Sequence, residues 1–509
     1  MRFVWMVVVA AVGCSGAESE APDAAGPAPA PGSCEALPQR AEATIHREPA
    51  GVAPTPEATA AFTRKLTGLW KRRNYFQWIV DTSHGVDATT GMRDWMVWWT
   101  DVDVVREGGQ LTFRHVEGGG PDNIMIPTTR LLAEASAGLL LTGDPALARL
   151  VEQYAKGVTA TFLGMVWDEN DPVRSIMARA VLPENDEVPL SGGRTKKIDY
   201  SAWRKPTEAW NTDTIRVANN PFWGDVWVKN LRSKDDVPHI YLAAAILPYV
   251  AACAADPDAR AAAREADSYL RGFAEDILAS GYWIRTKTET GEIIKPGAPS
   301  DIANFVTFDF LAPNAECPAK LATALLARDG AEGNACLGGF GGRIERAAAH
   351  THYYTYAILK NFHLAALMHS HVDRQKAAAE QLLAGLVVRV DEDFDMQDPD
   401  LPTERARWEA DLAVFLVQAS GAGLPLTGRE AALIQREYDA AIDAIDAWPY
   451  WDLWDPALPD GVYPLRPSAN IHAEDMAYFF WHCWSPFRSA EGAEIVDCAI
   501  IRDPARWGE

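Results

Sequence analysis

Apolar residues recur at helical spacing through most of this chain. Phe62, Leu66, Leu69 and Trp70 fall on one face of a helix starting at Thr55-Pro56, where proline's missing N–H costs nothing. Gly143-Asp144-Pro145 predicts a helix–helix junction: glycine ends one helix, Asp144 caps the next and Pro145 occupies its first turn. Leu147, Leu150, Val151, Tyr154 and Val158 then repeat with a 3.6-residue period. Asp256-Pro257 makes the same start before Ala266, Tyr269, Leu270, Phe273 and Ile277. Thr427 and Glu430 form a capping box ahead of Leu433, Ile434, Tyr438, Ile442 and Ile445. Further helices are expected over Cys317–Ala327, His350–Met368, Asp373–Val388, Glu404–Gln418 and His472–Trp481.

Two kinds of segment break this rhythm. Between Met96 and Val116, Val102 and Val104 alternate with aspartates, Gly108-Gly109 marks a turn, and Leu111, Phe113 and His115 alternate again, which predicts a β-hairpin. Leu182–Val237 and Trp283–Phe310 read as long irregular stretches, which in a compact domain are functional or conceal an element. The fold class expected is therefore mainly α, with a small β-hairpin and long loops.

Composition adds constraints. The chain has 509 residues, 48% of them apolar, and a formal net charge of -23. So acidic a surface repels nucleic acid and anionic lipid, and neither is expected as a partner. The most basic stretch, Arg194, Lys196, Lys197, Arg204 and Lys205, is expected to be a solvated loop.

At the N-terminus, Arg2 precedes an apolar or small run from Phe3 to Gly13 that is too short to span a bilayer. It ends in Ala11-Val12-Gly13-Cys14, which resembles the bacterial lipobox. The resemblance implies a signal peptide over residues 1–13, acylation of Cys14 with palmitate-type chains, and an envelope location on the periplasmic or cell-surface side. The alternative is an ordinary signal peptide cut near Gly16. Residues 14–55, rich in Ala, Pro, Gly and Glu, contain no aromatic residue and are expected to be a lipid-anchored linker, with the folded domain over 56–509. The lipid is the only membrane contact expected.

Without Cys14 six cysteines remain, an even number that suggests disulfides in an oxidising compartment. Cys317 and Cys336 flank a Gly-rich loop, and Cys34 with Cys498 would tie the chain ends together. No CxxC or Cys/His spacing suggests zinc, so no metal is expected. The chain carries no GxGxxG opening a helix, no P-loop, no HExxH and no GxSxG, so no cofactor and no serine-hydrolase chemistry are expected either.

About a dozen paired helices, interrupted by long Trp-rich loops, resemble the (α/α)6 toroid of many bacterial glycoside hydrolases and polysaccharide lyases. Arg232-Ser-Lys-Asp-Asp-Val-Pro-His-Ile240, running into an apolar helix, is similar to the loop-to-inner-helix junctions where those enzymes place acidic residues. The resemblance is architectural, and fold alone does not fix a reaction.

Four clusters could carry chemistry. Asp235 and Asp236 precede a helix N-terminus that would keep a carboxylate ionised to act as base, with Arg232 and His239 beside them; the plainer alternative is a helix cap. His350, His352 and Tyr356 offer sugar contacts, and His352 with Tyr356 suits proton transfer in a lyase; the alternative is aromatic packing. Glu474 or Asp475, near His472, would supply a partner carboxyl, or merely enrich a helix first turn in acid. Gly118-Gly119-Gly120 leads to Asp122, Asn123 and Arg130, which could bind hydroxyls or form a turn. Among 19 tryptophans, Trp210 and Trp223 lie beside Asn211, Asn219, Asn220 and Asp225, a pattern suited to stacking on a sugar ring, unless the rings anchor loops. The function expected is a glycoside hydrolase acting on an oligo- or polysaccharide, with a polysaccharide lyase or a non-catalytic glycan-binding lipoprotein as alternatives.

Overall fold

The computed structural model describes residues 50–72, 102–115, 125–183, 187–189, 195–199, 214–230, 234, 236–296, 320, 322–324, 326–327, 361–362, 364–365, 405–448, 459–464, 470–471, 475–476, 478–485 and 488–508. The fold is mainly helical. The expected helix starts form as read. α1 spans Pro56–Arg72, α2 Met125–Thr142, α3 Pro145–Leu163, α4 Val237–Cys253, α5 Pro257–Ala279, α6 Arg405–Gly421 and α7 Gly428–Asp446. Asp144 and Asp256 each accept two backbone N–H bonds at the starts of α3 and α5, and the Thr427–Glu430 capping box is complete on α7. Each such cap contributes about 1 kcal/mol.

Two kinds of helix pack together. α2, α4 and the C-terminal half of α6 are buried all round: residues 131–139, 237–247 and 412–421 are without exception buried. α1, α5 and α7 bury one stripe and expose the other, the pattern of helices with water on one side. α3 begins the same way, with Leu147, Leu150, Val151, Tyr154 and Val158 inward, each worth about 1.5–3 kcal/mol of burial. α2 packs on α3 and α4, α3 on α5, α4 on α5, and α6 on α7.

The C-terminal part joins these layers. α8, Tyr478–Trp484, packs between α2 and α6, and α9, Cys498–Ile501, packs on α1. The helix expected over His472–Trp481 thus starts later, after a 3-10 turn at Asp475 and Met476. Two glycines allow α8 its close approach. A Cβ on Gly138 would lie 2.8 Å from Phe480, and one on Gly421 would run into the Trp481 ring. Gly421→Ala is expected to cost about 1–3 kcal/mol by overpacking, read as a lower urea midpoint at unchanged slope; an unchanged midpoint would mean α8 can retreat freely. The C-terminal residues meet α1 here as well. Trp507 packs against Trp70 and Phe480, and its carbonyl accepts from Lys71 at 3.0 Å.

The expected hairpin forms as β1, Val102–Glu107, and β2, Gln110–His115, with Val104 opposite Phe113. The long stretch after residue 182 was not simply irregular. It holds β3 (Ala180–Pro183), β4 (Glu187–Pro189), β5 (Thr195–Asp199), β6 (Thr214–Asn220) and β7 (Gly224–Lys229). β5, containing the lysines expected in a solvated loop, pairs in parallel with β2 and antiparallel with β4, while β3, β7 and β6 form a separate sheet. β8 (Thr286–Lys287) and β9 (Ile293–Ile294) form a small hairpin within the second stretch, and β10 (Gly461–Pro464) pairs with β1. The packed chain also begins before the expected linker end, because Arg429 N–H donates to the Ala50 carbonyl at 2.9 Å.

The disulfide differs from the expected one. Cys498 bonds Cys483, with Cα atoms 5.5 Å apart, and so does not pair with Cys34. The short separation, 15 residues, explains the preference, because a small loop costs less to close than one spanning the whole chain. Cys34, Cys317 and Cys336 lie outside the described residues, as do the helix expected over 373–388 and Cys14.

Candidate functional site

Arg130 and Glu134 are the ionisable residues of α2, one helical turn apart on an otherwise apolar helix. α8 supplies what they meet. The Arg130 guanidinium donates to an Asp475 carboxylate oxygen and, at 2.5 Å, through Nε to the Tyr478 hydroxyl. Tyr438, on α7, donates its hydroxyl to the Asp475 backbone carbonyl at 3.2 Å. Two expected site residues, Arg130 and Asp475, are thereby brought together from positions 345 residues apart.

Glu134 lies deeper. It is 1% exposed and accepts the Trp481 backbone N–H at 3.2 Å. Burial pushes its carboxyl well above the usual glutamate range, against the pull of that bond and of the Arg130 charge. Tyr478 is driven up to about 12, first by burial, with the Glu134 charge adding to it and Arg130 opposing it. Tyr438 is likewise raised by burial. The cluster thus holds one carboxyl inclined to keep its proton and one hydrogen-bonded to a guanidinium.

The 230s are built differently. Asp236 precedes α4 but makes no side-chain cap, because its backbone is already helical (φ -73°, ψ -34°) and its carboxylate cannot reach the free N–H groups. It pairs instead with Arg179 Nε at 3.4 Å, both side chains being buried. His239, near the start of α4, meets the Asn361 amide at 3.0 Å through Nε2. The 230s and 360s therefore touch, as the 130s and 470s do.

Trp223 is not on an open face. It sits in the β6–β7 turn and is 7% exposed, packed with Phe222 and the apolar residues of that sheet. Asn220 holds the turn with four bonds: its amide donates to the Leu163 and Val166 carbonyls, and its oxygen accepts from Phe222 and Trp223. Asp225 pairs with Arg216 and accepts from the Asn219 backbone. These side chains anchor a loop, so the sugar-stacking expectation does not hold for Trp223. Asp122, Asn123, Trp210, Asn211, Arg232, Asp235, His350, His352, Tyr356, His472 and Glu474 lie outside the described residues.

Two other charged groups are spent on structure or on the C-terminal segment. Lys287 reaches Asp171 and the Met165 and Val173 carbonyls, at 2.6, 2.6 and 3.1 Å, using all three of its donors. Around the disulfide, His482 donates or accepts through Nδ1 at Ser420 Oγ, 2.7 Å away, and its Nε2 lies 3.9 Å from Glu494. Arg488 bonds the same carboxylate and donates to Cys498 Sγ at 3.4 Å. Burial raises the Glu494 carboxyl, but His482 and Arg488 outweigh it and bring it to about 2.

No protein-family model, curated protein or solved structure matches this chain.

Sequence reasoning reached Arg130 and Asp475 but missed Glu134, Tyr438 and Tyr478. A usable signal was present for Glu134: a charged pair four residues apart in a helix with no other charge has to be buried and paired.

Proposed function

We propose that the protein is an exported, lipid-anchored carbohydrate-active enzyme, a glycoside hydrolase built on an (α/α)6-like toroid. One observation carries the reading: Arg130 gathers Asp475 and Tyr478 beside Glu134, one turn along the same buried helix. Glycoside hydrolysis needs a carboxylic acid that keeps its proton for the leaving oxygen and a carboxylate that activates water or attacks carbon. Glu134 suits the first role, because burial favours its protonated form. Asp475 suits the second, because its carboxylate is held in place by the Arg130 guanidinium. Arg130 positions Asp475, and the Trp481 backbone N–H positions Glu134.

The ring architecture is supported by the two helix types. Helices α2, α4 and the C-terminal half of α6, buried all round, suit inner positions, and one-sided α1, α5 and α7 suit outer ones. Contact of α1 with Trp507 is consistent with closure of such a ring. No helix among the described residues is long and apolar enough to cross a membrane. In this reading the lipid on Cys14 is the anchor. Asp235, His352 and Tyr356 stand as further candidates for the same mouth.

The test is a glycan panel assayed with the purified protein and with Glu134→Gln and Asp475→Asn. Each variant is expected to lower kcat by about 10²–10⁴-fold. Folded variants with unchanged turnover would remove the cluster from catalysis, and an Asp235/Asp236 double alanine variant would then locate the site at α4.

A further inference from the structure

The residues around Cys498 form a potential metal centre outside the site described above. A His482 ring nitrogen, a Glu494 carboxylate oxygen and Cys498 Sγ lie within 4.8 Å of one another. Tetrahedral zinc, with bonds of about 2.0–2.3 Å, spaces its ligands about 3.3–3.8 Å apart. The three groups therefore need to close by only about 1 Å. Cys483, covalently joined to Cys498, is a fourth ligand of the right type at the same point. In the disulfide neither sulfur carries the charge that binds a metal; reduction supplies both thiolates at once.

The surroundings match a ligand set. Ser420 holds His482 through Nδ1, which leaves Nε2 directed towards Glu494. Fixing one ring nitrogen with an oxygen partner is how proteins orient a metal-binding histidine. Arg488 contacts both Glu494 and Cys498 Sγ. Two thiolates and a carboxylate carry three negative charges; a divalent ion leaves one, and the Arg488 guanidinium cancels it. Burial of an uncompensated charge is thus avoided.

We propose that the Cys483–Cys498 bridge is exchangeable with a zinc-class divalent ion bound by Cys483, Cys498, His482 and Glu494. The exchange balances. An external dithiol delivers two electrons and two protons to the disulfide and is itself oxidised to a disulfide. The metal then displaces the two thiol protons to solvent. Either state staples α8 to α9 and so holds the C-terminal segment on α1. Sequence spacing did not suggest zinc because the ligands follow none of the usual short Cys or His intervals.

Co²⁺ titration of the full chain, before and after reduction with a phosphine, tests this. The reduced protein is expected to take up one Co²⁺ with a thiolate-to-metal near-ultraviolet band and tetrahedral visible bands, both lost when Zn²⁺ is added. The disulfide form is expected to take up none. Cys498→Ser is expected to abolish the near-ultraviolet band and Cys253→Ser to retain it. Glu494→Gln, which keeps the disulfide and alters a half-exposed side chain, is expected to weaken binding at least tenfold after reduction. Absence of uptake on reduction, equal uptake by Cys498→Ser, or unchanged affinity in Glu494→Gln would overturn the assignment.

Discussion

Arg130→Met is expected to lower the unfolding free energy by about 3–5 kcal/mol, the usual cost of removing one partner from a buried ion pair. Methionine keeps much of the aliphatic volume, so the loss is electrostatic. Asp475, which is 4% exposed, loses the guanidinium that bonds its carboxylate, and the Tyr478 hydroxyl loses its 2.5 Å donor. Urea unfolding of wild type, Arg130→Met, Asp475→Asn and the double variant separates this from lost packing. The double variant is expected to be less destabilised than the sum of the single ones, by about 0.5–3 kcal/mol of coupling. Strict additivity would show that the two side chains do not act as a pair.

Glu134→Gln is expected to raise stability at neutral pH. Burial lifts the folded-state acidity constant above the unfolded one, so the folded protein binds a proton more readily than the unfolded chain. Stability is then lost as pH rises from the ordinary glutamate range towards the folded value, by up to about 1.4 kcal/mol per pH unit. Below that range both states are protonated and the contribution is level. Glutamine removes the slope while its oxygen still accepts the Trp481 N–H. Denaturation at intervals from pH 4 to 8 should show the wild-type curve falling away from the variant's. Parallel curves would place the Glu134 carboxyl in contact with water. A variant both more stable and inactive would be the trade expected of a residue kept for function.

The helices were legible because their ends carry local chemistry. Asp144, Asp256 and Thr427 cap backbone N–H groups within three residues, so each signal is complete in a short window. Strands β3 to β7 were not legible for the opposite reason. β4 has three residues and β5 carries two lysines, and β5 lies between β4 and β2, the latter over 80 residues earlier. No local pattern encodes such a partner. The site divides in the same way. Arg130 and Asp475 could be named as isolated polar residues, but their pairing depends on α8 fitting against α2. Asp236 was expected either to cap α4 or to act as a base. It does not cap the helix, because the chain is already helical at that residue and Arg179 lies within reach.

Trp507 packs against both Trp70 and Phe480, and its carbonyl bonds Lys71 across a separation of 436 residues. During synthesis, therefore, α1 emerges long before the residues that cover its apolar stripe. A polypeptide whose early helix is covered by residues made so much later keeps that part of its interior open until they arrive.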